Sequence, residues 1–300
     1  MSRRKKSRLL ERVEYAAYRA VAALAARASD ASVARWGARI GTLARRVLRK
    51  RDRLALGNMQ AAFPDRAPAE LRGLLDDCWR HFGRELLLYI RLQRMPLHEI
   101  ARLCPFDGAE LLEEARARGN GVVLISAHWG GWEVGGLALM ALVDNVRTVA
   151  RPLDNALLEQ DLVAQRAKTG AEVVDRRAAA RVLLRGLRDN AVIVLLPDQA
   201  VLPREGVLVP FLGRDAWTTA APAKMALHHG STIVFAFCIP DGDRHRLEFE
   251  EPIRVDQLSE EERDPVALTK RINDVLARRI ATRPELWLWM HDRWKGTATG

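Results

Sequence analysis

The chain has 300 residues, 48% of them apolar and 29% charged, and a formal net charge of +10. A chain of that length closes a substantial core unaided, as one large domain or a main domain with an extension. Its three cysteines, Cys78, Cys104 and Cys238, are odd in number and form no CxxC spacing, which argues against a structural zinc and reads them as reduced thiols.

The positive charge is concentrated at one end. Residues 1–53 hold 16 Lys/Arg against four acids, whereas the remainder holds 32 against 34. A uniformly basic chain would suggest nucleic acid. A basic amino-terminal sixth on a near-neutral body suggests a docking surface for anionic lipid headgroups, an acidic carrier protein or RNA. Two amphipathic helices fit this stretch, with Leu10, Val13, Ala17, Val21 and Leu24 at three/four spacing in the first, and Val33, Trp36, Ile40, Leu43 and Val47 in the second. Ser29 and Asp30 separate them and offer a cap. Arg35, Arg39, Arg46 and Lys50 run beside the apolar face of the second helix. That pattern suits a lipid interface, or equally a helix packed on its own domain with solvated arginines. No apolar run is long enough to span roughly 30 Å of hydrocarbon. Glu11, Arg12, Glu14 and Arg19 interrupt the apolar stretch that an export signal needs, so the expected place is the cytoplasmic face of a membrane, with peripheral attachment.

A turn at Phe63-Pro64-Asp65 precedes a long helical pattern over 68–94, carried by Leu71, Leu74, Leu75, Cys78, Phe82, Leu86 and Tyr89; Pro96 and Pro105 then punctuate the chain. After residue 106 short apolar runs alternate with helical patterns. Strands are predicted near 121–126, 146–150, 191–196 and 232–238, with weaker ones near 172–174, 206–209 and 246–250. Helices fit 109–118, 132–142, 155–169, 177–189, 218–229 and 260–282. The alternation implies an α/β fold, a largely parallel sheet flanked by helices, preceded by an amphipathic helical region. Residues 1–50 are read as a docking region and 51–300 as a single α/β domain.

The segment richest in chemistry is Ser126-Ala127-His128-Trp129-Gly130-Gly131-Trp132-Glu133, which follows the apolar run Gly121–Ile125. A buried strand there delivers a histidine into a glycine-rich turn, and a carboxylate follows in the first turn of a helix. Positions five apart do not share a helix face, so His128 belongs in the turn. Glu133 can then accept from one ring nitrogen while the other faces a cleft, which makes His128 a candidate general base. The plainer alternative is a histidine that caps a helix. No serine or cysteine nearby resembles a nucleophile on an elbow, which favours direct transfer over a covalent intermediate. The pair His228-His229 reads as helix-end residues favoured by the dipole and not as metal ligands.

The stretch His128–Glu133 resembles the His-(X)4-Asp/Glu motif of the lysophospholipid acyltransferase superfamily, and more nearly its lipid A biosynthesis branch, the lauroyl/myristoyl acyltransferases. The resemblance continues in order through Leu56–Pro64, Arg151–Asn155, Leu196–Gln199, Val209–Gly213 with Thr218-Thr219, and Trp289–Lys295. It implies a glycerolipid acyltransferase-like fold and transfer of an acyl chain, without cofactor or metal, from acyl carrier protein or acyl-CoA to a hydroxyl of a lipid A precursor. The membrane would be the inner membrane. His128 would be the base and Glu133 its orienting acid. Arg151, Asn155, Asp198 and Asn58 would contact substrate, with Arg151 on a phosphate or the developing oxyanion and Asp198 holding the site's floor or Arg151. A structural salt bridge for Arg151, a turn-capping role for Asp198 and a helix-pinning role for Asn58 are the alternatives. Another glycolipid or phospholipid acceptor fits the motif as well. A reading from a different class, a nucleic-acid-binding protein, rests only on the basic start; the chain lacks the signatures of the common nucleic-acid modules.

Overall fold

The computed structural model describes residues 7–93, 95–150, 152–167, 172–175, 179–242 and 244–297. The chain opens with helices α1 (Arg8–Arg27), α2 (Asp30–Val47), α3 (Arg49–Ala62), α4 (Pro68–Leu92) and α5 (Leu97–Leu103). Ser7 and Ser29 cap α1 and α2 by accepting the backbone N–H of Leu10 and Ser32. Then follow β1 (Phe106–Asp107), α6 (Ala109–Ala117), β2 (Val122–Ile125), α7 (Trp132–Leu142), β3 (Val146–Ala150), α8 (Ala156–Ala167), β4 (Glu172–Asp175), α9 (Ala179–Arg188) and β5 (Val192–Leu195). The chain ends with β6 (Val207–Phe211), β7 (Arg214–Thr218), α10 (Ala221–His229), β8 (Thr232–Asp241), β9 (Arg244–Ile253) and α11 (Pro265–Thr282).

Among the described residues seven strands form one sheet in the order β1-β9-β8-β2-β5-β3-β4. Strands β8, β2, β5, β3 and β4 are mutually parallel; β9 runs antiparallel to β8, and β1 pairs parallel with β9. The fold is thus α/β with a largely parallel sheet and a helical amino-terminal region, as the alternation of apolar runs implies. Every residue of β2 is buried, because β2 lies inside the sheet with helices on both faces. Strands β6 and β7 make a separate hairpin. Four features are absent from the pattern read in the sequence, the longest of them helix α3, whose apolar face is weak. Helix α5, seven residues after Pro96, and the two-residue β1 are too short to show periodicity. Strand β7 has only its hairpin partner β6.

The amino-terminal helices pack in an unexpected way. Helix α2 lies on α4 through glycines: a Cβ on Gly41 would sit 1.9 Å from the Trp79 carbonyl oxygen, and one on Gly83 2.1 Å from that of Gly37. With small residues inward, the large apolar residues of α2 turn outward, leaving Trp36, Ile40, Leu43 and Val47 41 to 69% exposed. Helix α1 behaves alike, burying Ala22 and Ala25 while Leu10, Val13, Val21 and Leu24 stay exposed. Val33 alone of the predicted second stripe is buried. Among the described residues no helix is long and apolar enough to cross a membrane.

Gly41→Ala should therefore lower stability by about 2 kcal/mol or more, since backbone cannot yield to a new methyl group as a side chain can. Gly57→Ala, on α3 with nothing within 4 Å of the new Cβ, should be neutral or stabilising by up to ~1 kcal/mol. Denaturant titration of both variants checks the contrast.

Candidate active site

Strands β2 and β5 are parallel neighbours with Ile125 opposite Leu195. His128 lies three residues beyond the end of β2, and Asp198 three beyond the end of β5. Equal run-out from a shared register brings the two side chains together at the carboxyl edge of the sheet, where open α/β sheets present their sites. The His128 Nδ1–H donates to Asp198 Oδ1 at 2.8 Å, and the His128 backbone N–H donates to Oδ2 at 2.9 Å. Asp198 is 1% exposed, while the His128 side chain keeps 23% of its surface accessible. The Nε2 of His128 has no hydrogen-bond partner among the described residues.

The loop carrying His128 is clamped on both sides. Gly130 adopts φ +59°, and a Cβ there would lie 2.1 Å from the Cys238 carbonyl oxygen, so only glycine fits. The Gly130 N–H donates to the Leu286 carbonyl and the Leu288 N–H to that of His128, joining the loop to the carboxy-terminal segment. From that segment the Trp287 indole N–H donates to Asp198 Oδ2 at 2.8 Å. On the other side the His81 Nε2–H donates to the Gly130 carbonyl at 3.2 Å, and Glu85 accepts the His245 Nε2–H with both carboxylate oxygens at 3.0 Å. These side chains also line a cavity of about 400 Å³ between α4 and the β8–β9 hairpin, which neither His128 nor Asp198 reaches. Trp132 lies across the His128 ring at 5.6 Å between centroids, and Phe82 of α4 packs on Trp132 at the same distance.

The electrostatics follow from this geometry. Burial opposes the charged form of His128, but the charge and hydrogen bond of Asp198, helped by the charge of Glu133, outweigh it and raise the ring above the ordinary histidine value. Burial likewise pushes Asp198 upward, yet the His128 charge, its hydrogen bonds and that of Trp287 bring the carboxyl below its usual range. Burial lowers His291, with Asp198 countering. Arg293, fully buried, is pulled down to about 10 by loss of water; it donates to the Trp217 carbonyl and the Thr218 hydroxyl and lies over the Phe211 ring. The thiols of Cys78 and Cys238 are pushed up by burial, so both are protonated and weak as nucleophiles.

Of the residues singled out from the sequence, the structure brings His128, Glu133 and Asp198 together, with one change of role. The acid hydrogen-bonded to the imidazole is Asp198, whereas Glu133, in the first turn of α7, acts on the ring through its charge. Asn155 and Asn58, read as substrate contacts, are engaged inside the protein. Asn155 accepts from the N–H groups of Leu157 and Leu158 at the start of α8 and donates to the Glu11 carbonyl and the Glu14 carboxylate of α1. That uses its donors and acceptor as a cap and a tether. Asn58 donates to the carbonyls of Trp289 and His291, pinning α3 to the carboxy-terminal segment. Arg151 lies outside the described residues. Trp287 and Arg293 were missed as neighbours of the pair; the dense tryptophan pattern of the carboxy terminus was the available signal.

The fold is α/β, the His128–Asp198 pair lies at the ends of β2 and β5, and the relatives specify the class as acyltransferase. The chain is 30% identical over 253 residues to a phosphatidylinositol mannoside acyltransferase of Mycobacterium tuberculosis (strain CDC 1551 / Oshkosh), covering 82% of this chain and 76% of that protein. It is 25% identical over 269 residues to the lipid A biosynthesis lauroyltransferase of Escherichia coli K12, covering 89% and 86%. With the lipid A biosynthesis myristoyltransferase of the same organism it shares 24% over 255 residues, covering 84% and 78%. The protein belongs to the bacterial lipid A biosynthesis acyltransferase family, which it matches over residues 1–296.

Replacing Asp198 by Asn removes the largest influence that raises His128 and leaves burial in place. The ring should then titrate below the ordinary histidine value instead of above it, as read from histidine-labelled NMR spectra with the His128 signal assigned by His128→Gln.

Proposed function

We propose that the enzyme transfers a fatty acyl chain from a thioester donor, acyl carrier protein or acyl-CoA, directly to a hydroxyl of a glycolipid of the lipid A precursor type, with His128 as general base. The observation that carries this reading is the Asp198–His128 hydrogen bond at the sheet edge, which occupies Nδ1 and leaves Nε2 unpartnered among the described residues on a side chain that keeps 23% of its surface accessible. With Nδ1–H donating to a carboxylate, the neutral tautomer has its lone pair on Nε2, as a base requires. In the step, Nε2 accepts the acceptor's hydroxyl proton while the oxygen attacks the thioester carbonyl. The tetrahedral intermediate expels the thiolate, and the imidazolium returns the proton to sulfur. Asp198 stabilises the transient imidazolium by charge, and Glu133 adds to it. In this reading Arg151 would face the phosphate or oxyanion.

The outward stripe of α1 and α2 supports peripheral attachment to an anionic bilayer, in this reading at the cytoplasmic face of the inner membrane. Burying a large apolar side chain stabilises by about 1.5–3 kcal/mol, and each Lys or Arg near an anionic surface adds about 1 kcal/mol. The four exposed apolar residues of α2, with Arg35, Arg39 and Arg46 on the same helix and Lys50 at the start of α3, thus supply enough for reversible docking. The same basic face suits an acidic carrier protein. A second acceptor, a phosphatidylinositol mannoside, is favoured by the 30% identity to the mycobacterial enzyme.

His128→Ala should lower transfer by roughly 10²–10⁴-fold with donor binding and folding retained. Purified enzyme supplied with defined acyl donors and either tetra-acylated lipid A precursor or phosphatidylinositol mannoside, with products read by mass, checks both base and acceptor; wild-type turnover by His128→Ala would refute the assignment. Replacing Trp36, Ile40 and Leu43 together by Ser should release the protein from anionic vesicles in flotation, and unchanged flotation would remove α2 from the membrane account.

A further inference from the structure

The indole of Trp287 is 1% exposed and is packed among Phe211, Trp289 and Trp294. A position of this kind asks for apolar volume and does not require an N–H. Trp294 illustrates the point, since its buried Nε1 has no hydrogen-bond partner among the described residues. Trp129 and Trp289 donate to backbone carbonyls, those of Arg283 and Pro284. Trp287 instead aims its N–H at the ionised member of the dyad, Asp198.

The geometry on the carboxylate gives that contact a consequence. Oδ2 accepts two donors, the His128 backbone N–H and the Trp287 indole, while Oδ1 accepts only the ring. The carboxylate cannot turn about its Cβ–Cγ bond without losing these bonds, so Oδ1 stays directed at Nδ1. The donor is itself immobile: Trp287 forms a backbone bridge with Trp129, and its neighbours Leu286 and Leu288 bond the backbone of Gly130 and His128. We propose that Trp287 is a positioning residue for acyl transfer, its indole N–H fixing the Asp198 carboxylate and, through it, the orientation and proton affinity of His128. The proposal rests on the reading of His128 as the base.

The sign of the effect follows from competition for one charge. The indole draws on the negative charge of Asp198 that would otherwise act on the ring. Without it, Asp198 holds the imidazolium more strongly, so His128 titrates at higher pH. Among the described residues, the other ionisable groups that act on the dyad are Glu133 from α7 and His291 and Arg293 from the carboxy-terminal segment, and the substitution leaves all of them in place.

The test uses the full chain with Trp287→Phe, and with 3-benzothienylalanine at the same position as an isostere that lacks only the N–H donor. In histidine-labelled NMR titrations the His128 midpoint should rise by about half a pH unit or more. The acid limb of the kcat/KM profile should rise with it. We expect kcat to fall about tenfold while KM for donor and acceptor stays within roughly twofold. If Trp287→Phe does not fold, the isosteric variant decides. An unmoved His128 titration and pH profile in a folded, active variant overturns the proposal and leaves the base assignment standing. A titration that moves while the rate profile does not overturns the base assignment, and the proposal with it.

Discussion

Asp198 is an ionised carboxyl almost wholly withdrawn from water, and such a group persists only when donors or a counter-charge replace its hydration. Here its donors come from two places, the His128 loop and the carboxy-terminal Trp287. Each depends on the sheet being correctly closed: β2 must lie beside β5 for His128 to meet Asp198, and the last segment must bind the loop for Trp287 to arrive. The charge therefore acts as a constraint on assembly as well as on chemistry. Any rearrangement that separates these elements strands a buried carboxylate, which costs several kcal/mol.

The amino-terminal layer obeys a different rule. In most surface helices the bulky apolar stripe turns inward and the small or polar residues face water. Helices α1 and α2 do the reverse, because close approach of α2 to α4 is achieved through glycine and leaves no room for side chains between the backbones. The stripe that remains outside is too apolar to be a solvated face and too short to span a bilayer, and it is bordered by arginines. These three properties are what the proposed docking at an interface between water and lipid requires.

Much of this was legible in the sequence, and what was not has a physical cause. Strands β2, β5 and β8 announce themselves as short apolar runs because burial on both faces removes the need for alternation, and the histidine turn stands out through its glycines. The orienting acid did not. Glu133 is close to His128 in sequence, whereas Asp198 becomes its partner only through the neighbour relation of β2 and β5, and strand order is a long-range property that no local pattern encodes. The internal partners of Asn155 and Asn58 were hidden for a related reason: an asparagine that caps a helix or pins a segment reads in the sequence like one that contacts substrate. The direction of the α2 stripe was equally hidden, since the periodicity of Val33, Trp36, Ile40, Leu43 and Val47 defines a face without saying which side meets the protein. The glycines at positions 37 and 41 held that information.

Helix α4 joins the two halves of this account. One side of it, at Trp79 and Gly83, receives the glycine face of α2. Its neighbouring positions serve the site: His81 holds the Gly130 carbonyl, and Phe82 packs on Trp132, which lies across the His128 ring. Residues one to three apart on one helix thus touch α2 and the loop that carries His128, and no flexible linker intervenes between them. Because α2 is seated on backbone and not on adaptable side chains, the orientation of the apolar stripe relative to the dyad is set by rigid contacts. An acceptor anchored in the bilayer by its acyl chains has little freedom to seek the base. In the proposed reading, a fixed relation between the exposed stripe and the sheet edge lets docking itself bring the acceptor's headgroup within reach of His128, so that part of the orientation entropy of the reaction is removed before substrate enters the site.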